Sequence, residues 1–126
     1  GVLPRHQHFN ALLVACARTA DAPAARGVFA EMHAEGLAPR EIDWNTLIQC
    51  LREDFSACRL AFEDMRAGHG IAPSEETFAA LLQVARGSHD RQATEWVLDE
   101  LRRSGVDTRN VRSPRLRLEL QRLRKK

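Results

Sequence analysis

The sequence predicts an all-α protein, an α-solenoid of three helix–turn–helix repeats followed by a basic C-terminal helix. Three observations predict it. A phrase opening on an aromatic residue recurs as Phe9-Asn10-Ala11-Leu12-Leu13, Trp44-Asn45-Thr46-Leu47-Ile48 and Phe78-Ala79-Ala80-Leu81-Leu82, at separations of 35 and 34 residues. A second phrase follows each, Val28-Phe29-Ala30-Glu31-Met32, Ala61-Phe62-Glu63-Asp64-Met65 and Val97-Leu98-Asp99-Glu100-Leu101. A third closes each unit on Gly36-Leu37-Ala38-Pro39-Arg40, Gly70-Ile71-Ala72-Pro73-Ser74 and Gly105-Val106-Asp107-Thr108-Arg109. Phrases kept in phase at one period mark supersecondary units that bury their apolar faces only by stacking on one another.

Residues 1–5 read as an N-terminal extension, 6–40, 41–74 and 75–109 as the repeats, and 110–126 as a basic capping helix or tail. In the first helix, from about His8 to Arg18, Phe9, Leu12, Leu13 and Cys16 fall at i, i+3, i+4 and i+7, a single apolar stripe. Asp21 then caps a second helix with Pro23 in its tolerant first turn, and Gly36 ends it in the left-handed conformation. The second unit repeats the plan over about Asp43 to Arg52 and Phe55 to Ala67. In the third, Ser74 caps a helix carrying Glu75 and Glu76 in its first turn; Gly87 is expected to stop it, Asp90 to cap the next and Gly105 to end that one. Ser113-Pro114 is a helix start. Beyond it Leu116, Leu120 and Leu123 share a face that Leu118 leaves, although Arg115-Leu116-Arg117-Leu118-Glu119-Leu120 also alternates like a strand.

At 126 residues the chain has one domain's worth of core, and no apolar run reaches the ~18–20 residues of a membrane span. It opens on Gly1 rather than Met, so any targeting segment is out of view. Cys16, Cys50 and Cys58 lack metal-type spacing and read as buried, reduced thiols, with a Cys50–Cys58 pairing across one hairpin as the alternative. His6 and His8 have no third ligand nearby, and no phosphate loop, nucleophile elbow or two-histidine helix motif occurs, so neither metal, cofactor nor catalysis is expected. The acidic pairs Glu41 and Asp43, Glu53 and Asp54, Glu63 and Asp64, and Asp99 and Glu100 read as solvated charge on polar helix faces. Trp44 occupies the repeated aromatic slot and belongs to the core, whereas Trp96 breaks the pattern and is a docking candidate if exposed.

The phrase order resembles the pentatricopeptide repeat over about His6 to Arg109, with Leu101 in place of Met and Thr108 in place of Pro in the third unit. The tetratricopeptide repeat would want an early Gly and a Tyr that this chain does not have. The resemblance implies an organellar protein, of mitochondria or plastids. Many members bind single-stranded RNA, one base per repeat, through the residue after the first aromatic and the last residue of the unit. Carried over, those slots hold Asn10 and Arg40, Asn45 and Ser74, and Ala79 and Arg109. Only Asn45 with Ser74 resembles a working pair. Asn10 and Asn45 also read as early-helix polar residues bonding local backbone.

Charge separates two readings. From His6 to Arg109 eleven arginines face sixteen carboxylates, net −5, whereas from Asn110 to Lys126 five arginines and two lysines face one glutamate, net +6. An RNA groove carries surplus positive charge, so an acidic repeat body favours a docking subunit of an organellar complex, holding protein subunits through the solenoid surface and basic tail. The alternative is a single-stranded RNA- or rRNA-binding protein, with Asn10, Asn45 and Ser74 on bases. In either case Arg40, Arg109, Arg115, Arg122, Arg124, Lys125 and Lys126 are the candidate contacts to phosphate or an acidic partner.

Overall fold

A computed structural model of the chain describes residues 5–124. Among these residues it is all α-helical, and the chain divides into two compact units, Gly1–Ile71 and Ala72–Lys126. The first contains α1 (Arg5–Arg18), α2 (Ala22–Ala34), α3 (Glu41–Cys50) and α4 (Phe55–Glu63), the last running into a π turn over Asp64–Gly68. The second contains α5 (Glu75–Ser88), α6 (Arg91–Arg103) and α7 (Pro114–Arg124). In the first unit α1 packs on α2 and α3, α2 on α3, and α3 on α4; in the second, α5 packs on both α6 and α7.

The capping residues do what their chemistry dictates. Asp21, Asp54 and Asp90 accept hydrogen bonds from the amides of Ala24, Ala57 and Gln92, and Ser74 and Ser113 from those of Thr77 and Leu116. Past α2, Gly36 takes φ +71°, and the Gly36 and Leu37 amides donate to the carbonyls of His33 and Met32, closing the helix with both bonds of a Schellman turn. The basic C-terminal segment is a helix, not a strand. Leu116 is buried and Leu120 and Leu123 half-buried along its packed side, while Leu118 faces out.

At several points the structure departs from the spacing-based expectations. α1 begins at Arg5, ahead of His8, and its stripe is narrower than the spacing implies: Phe9 and Leu13 are buried, Cys16 is half-buried and Leu12 exposed. α3 runs from Glu41 to Cys50, two residues ahead of the expected Asp43–Arg52, because Asp43 is its third residue and folds back to accept the Arg40 amide at 2.8 Å. Asp43 is therefore fully buried, and Glu100 is buried too, so neither is solvated surface charge. Gly87 does not stop α5; the helix passes through it to Ser88, and His89 supplies the left-handed terminus at φ +57°.

The π turn is a counting effect. Gly36 comes four positions after Met32, and Gly105 four after Leu101, but Gly70 comes five after Met65. The helix after α3 keeps its terminal glycine, Gly70, in the left-handed conformation, φ +66°, and takes up the extra residue by widening its last turn. The closing bond lengthens in step. Ile71 donates to the Met65 carbonyl, six residues back, where Leu37 reaches five back to Met32.

Candidate functional site

The residues that would read bases are all held by the protein itself. Asn10, on α1, donates its side-chain amide to Asp43 Oδ1 at 3.0 Å, so Asp43 links α1 to the start of α3. Asn45 donates to Glu41 Oε1 at 3.3 Å, one turn back on α3. Ser74 caps α5 and its hydroxyl also meets that of Thr77. Ala79 is buried. The Arg40 guanidinium lies 3.8 Å from Asp43. Asn45 belongs to the first compact unit and Ser74 to the second. Sequence reasoning missed Asp43, the residue that organises Arg40 and Asn10. The signal was its place three residues after the helix start, where a carboxylate reaches back to the capping amide.

The first unit has a groove. α2 and α4 form its walls, and Trp44, Leu47 and Leu51 of α3 and its C-terminal end form its floor. The larger cavity is about 650 Å³, and a second of about 390 Å³ adjoins it, both lined by Phe29, Trp44 and Asp64. The Trp44 ring meets Phe29 edge-on, centroids 4.9 Å apart, and His69 at 5.0 Å. Trp44 is only 3% exposed, yet its indole N–H has no hydrogen-bond acceptor among the described residues. Leu60, 67% exposed, stands on the α4 wall. Arg26 on one wall and Asp64 on the other have no ion-pair partner among the described residues.

In the second unit the arginines separate into two groups. Arg115 pairs with Glu76 and reaches Gln83, and Arg122 pairs with Glu119, which also takes Arg86 at 3.0 Å. The Glu119 hydrogen bond holds the Arg86 guanidinium above its ordinary pKa. Arg109 and Arg124, by contrast, line one hollow of about 430 Å³ with Arg117, Thr108, Asn110 and Gln121. Lys125 and Lys126 lie outside the described residues. Arg117 was not anticipated, although Arg117, Gln121 and Arg124 stand at i, i+4 and i+7 and so share a helix face. Trp96 is half-buried on α6 and is not an exposed docking surface.

Residues 4–118 match the family described as the pentacotripeptide-repeat region of PRORP. The chain belongs to the pentatricopeptide-repeat family. No curated protein matches it. As a pentatricopeptide-repeat protein it is a helical-repeat binding module, and among the described residues no helix is long and apolar enough to cross a membrane. The family's repeated aromatic is buried in all three units, as Phe9, Trp44 and Phe78, and of these Trp44 alone carries a polar atom into its site. An indole N–H there needs an acceptor that neither phenylalanine needs.

Proposed function

We propose that this pentatricopeptide-repeat chain is a non-enzymatic docking subunit of an organellar macromolecular complex, and that it seats a segment of a partner protein in the groove between α2 and α4. The observation that carries the reading is the apolar lining of the groove, with Leu60 67% exposed on the α4 wall above a floor of Trp44, Leu47 and Leu51. A partner segment crossing the groove brings apolar side chains to Leu47, Leu51 and Leu60. Arg26 and Asp64, on opposite walls and without ion-pair partners among the described residues, suit a segment carrying charges of both signs. Support for an organelle comes from the family.

The base-reading alternative is weakened by the internal partners of Asn10, Asn45 and Ser74. The test is the native size of the tagged full chain in its own cells, with Leu60→Glu on the groove rim. The variant is expected to keep its helicity and leave the large assembly. Retention in the assembly, or submicromolar base-selective RNA binding abolished by Asn45→Ala, overturns the docking reading.

A further inference from the structure

We propose that Cys16 is a site of oxidation by small hydroperoxides and that Cys50 resolves it, closing a disulfide between α1 and α3. This goes beyond protein docking and does not depend on the groove. Hydrogen bonds fix how the two helices lie against each other. Cys50, the last residue of α3, donates from Sγ to the Leu13 carbonyl at 3.4 Å. Arg52, two residues on, donates to the Ala17 carbonyl. The end of α3 therefore runs along residues 13–17 of α1, a stretch of about 6 Å at ~1.5 Å per residue, and Cys16 lies within it. Leu13 and Cys16 stand at i and i+3, so they are neighbours on one helix face. A backbone carbonyl within reach of the Cys50 sulfur brings α3 close to α1 here, as the short Cα separation of a disulfide requires. The other nearby thiol is placed elsewhere. Cys58, on α4, donates to the carbonyls of Ile48 and Leu51, whereas the bond to Leu13 turns Cys50 toward α1. Electrostatics agrees, because Cys16 is among the groups that raise the Cys50 pKa, whereas the charged neighbour felt by Cys58 is Asp54.

Exposure divides the roles. All three thiols are free, Cys16 half-buried and Cys50 only 1% exposed, so an oxidant from solvent meets Cys16 first. The Cys16 sulfur attacks one peroxide oxygen and the O–O bond breaks. Cys16 becomes a sulfenic acid, and the other oxygen leaves as water or an alcohol. Cys50 then attacks the sulfenic sulfur from inside the interface. The S–S bond forms, the S–O bond breaks, and the hydroxyl leaves with the Cys50 proton as water. Each thiol gives up one electron and the peroxide takes both. The second step needs no solvent path to Cys50, only a turn of its Sγ away from the Leu13 carbonyl, to which a thiol is a weak donor. Burial makes that step the slower one, since the attacking group is a thiolate and burial favours the thiol. Arg52 opposes this, its guanidinium held beside the interface by the carbonyls of Ala17 and Gln49. The bond ties the first helices of two successive repeats together around the whole of α2.

The experiment treats the full chain, reduced and then freed of reductant, with stoichiometric hydrogen peroxide. Remaining thiols are blocked with an alkylating reagent, and the protein is mapped by mass spectrometry and run on non-reducing gels. A monomer lighter by two hydrogens is expected, with a peptide pair joining Cys16 to Cys50 that dithiothreitol separates. Cys50→Ser should stop at the sulfenic acid of Cys16, which a sulfenic-acid-selective dione traps in several-fold higher yield than in wild type. Cys16→Ser should leave Cys50 reduced, and Cys58→Ser should close the Cys16–Cys50 bond as readily as wild type. Circular dichroism checks that each serine variant keeps its helices, and the peptide map of the wild-type chain decides the pairing without any variant. The proposal is overturned by Cys50 pairing with Cys58, by linkage only between chains, by Cys16 passing to sulfinic acid without closing, or by Cys16 resisting the peroxide. Loss of the large assembly in Leu60→Glu, read with the thiols reduced, tests docking alone and leaves this result unaffected.

Discussion

Alkali should unfold this protein through two thiols. Burial pushes the Cys58 thiol up to about 12, with the nearby Asp54 adding to the effect. Cys50 is pushed up to about 11, again mainly by burial, then by Cys16, against an opposing pull from Arg52. Geometry agrees with the direction: Cys58 Sγ donates to the carbonyls of Ile48 and Leu51, and Cys50 Sγ to that of Leu13, so a thiolate at either site would face carbonyl oxygens. Both folded values lie above the ordinary 9.0, so the thiols' contribution to stability is complete below pH 9 and is lost as pH rises toward 11–12. Little else titrates in that window, because the chain has no tyrosine and its only lysines are Lys125 and Lys126.

At pH 11 an unfolded chain has released both protons, whereas the folded one keeps nearly all of the Cys58 proton and about half of that on Cys50. The difference destabilises the fold by roughly 4–5 kcal/mol, a large part of the about 5–15 kcal/mol that holds a domain of this size. Urea unfolding followed by circular dichroism, at intervals from pH 8 to 11 under reducing conditions, measures it. The Cys50→Ala/Cys58→Ala variant starts lower, because it creates small cavities, but its stability should stay nearly level across the window. An equal decline in wild type and variant would refute the reasoning.

At neutral pH a thiol reagent should modify Cys16 first, since it is half-buried, and reach Cys50 and Cys58 only as the protein unfolds; rapid labelling of more than about one thiol per chain contradicts this. Asp43→Ala removes the acceptor of both the Arg40 amide and Asn10, and is expected to cost about 1–3 kcal/mol in urea unfolding. Asn10→Ala should cost about 1 kcal/mol and leave any RNA preference unchanged, as expected of a structural amide. Glu119→Ala strands Arg86 beside a vacated site, and because Arg86 is one-third exposed the loss should be about 2 kcal/mol, below that of a fully buried pair. Glu119→Gln should recover part of it.

The repeat, its helix pairs and most of its caps were legible because each depends on residues close in sequence. Asp21, Ser74, Asp90 and Ser113 all cap where their positions predict. What periodicity could not reach was carboxylate burial. Glu100 looks like any surface acid along the chain; the position of Asp43 marks it as a cap, but its burial depends on Asn10, more than thirty residues earlier, coming to meet it. The same remoteness hid the fate of the base-reading slots, since an asparagine free to read a base and one bonded to a neighbouring helix have the same spacing. The arginine hollow was half visible. Arg117, Gln121 and Arg124 share a helix face by arithmetic, but Arg109 joins them only through the turn between α6 and α7.

The groove shows how one residue of length alters a repeat locally. The additional position between Met65 and Gly70 is met by a π turn, not by a shifted glycine, because the left-handed conformation at Gly70 is needed to end the helix. The widened turn includes Asp64 and Gly68 of the groove wall and is followed directly by His69, whose ring packs on Trp44. Asp64 and His69 both line the smaller cavity. The indole that replaces phenylalanine and the turn that departs from α-helix thus occur together in the second repeat, around the one buried side-chain donor among the described residues that lacks an acceptor. A polar atom with no role would be cheaper to omit, and phenylalanine at the equivalent positions 9 and 78 shows that the repeat packs without it.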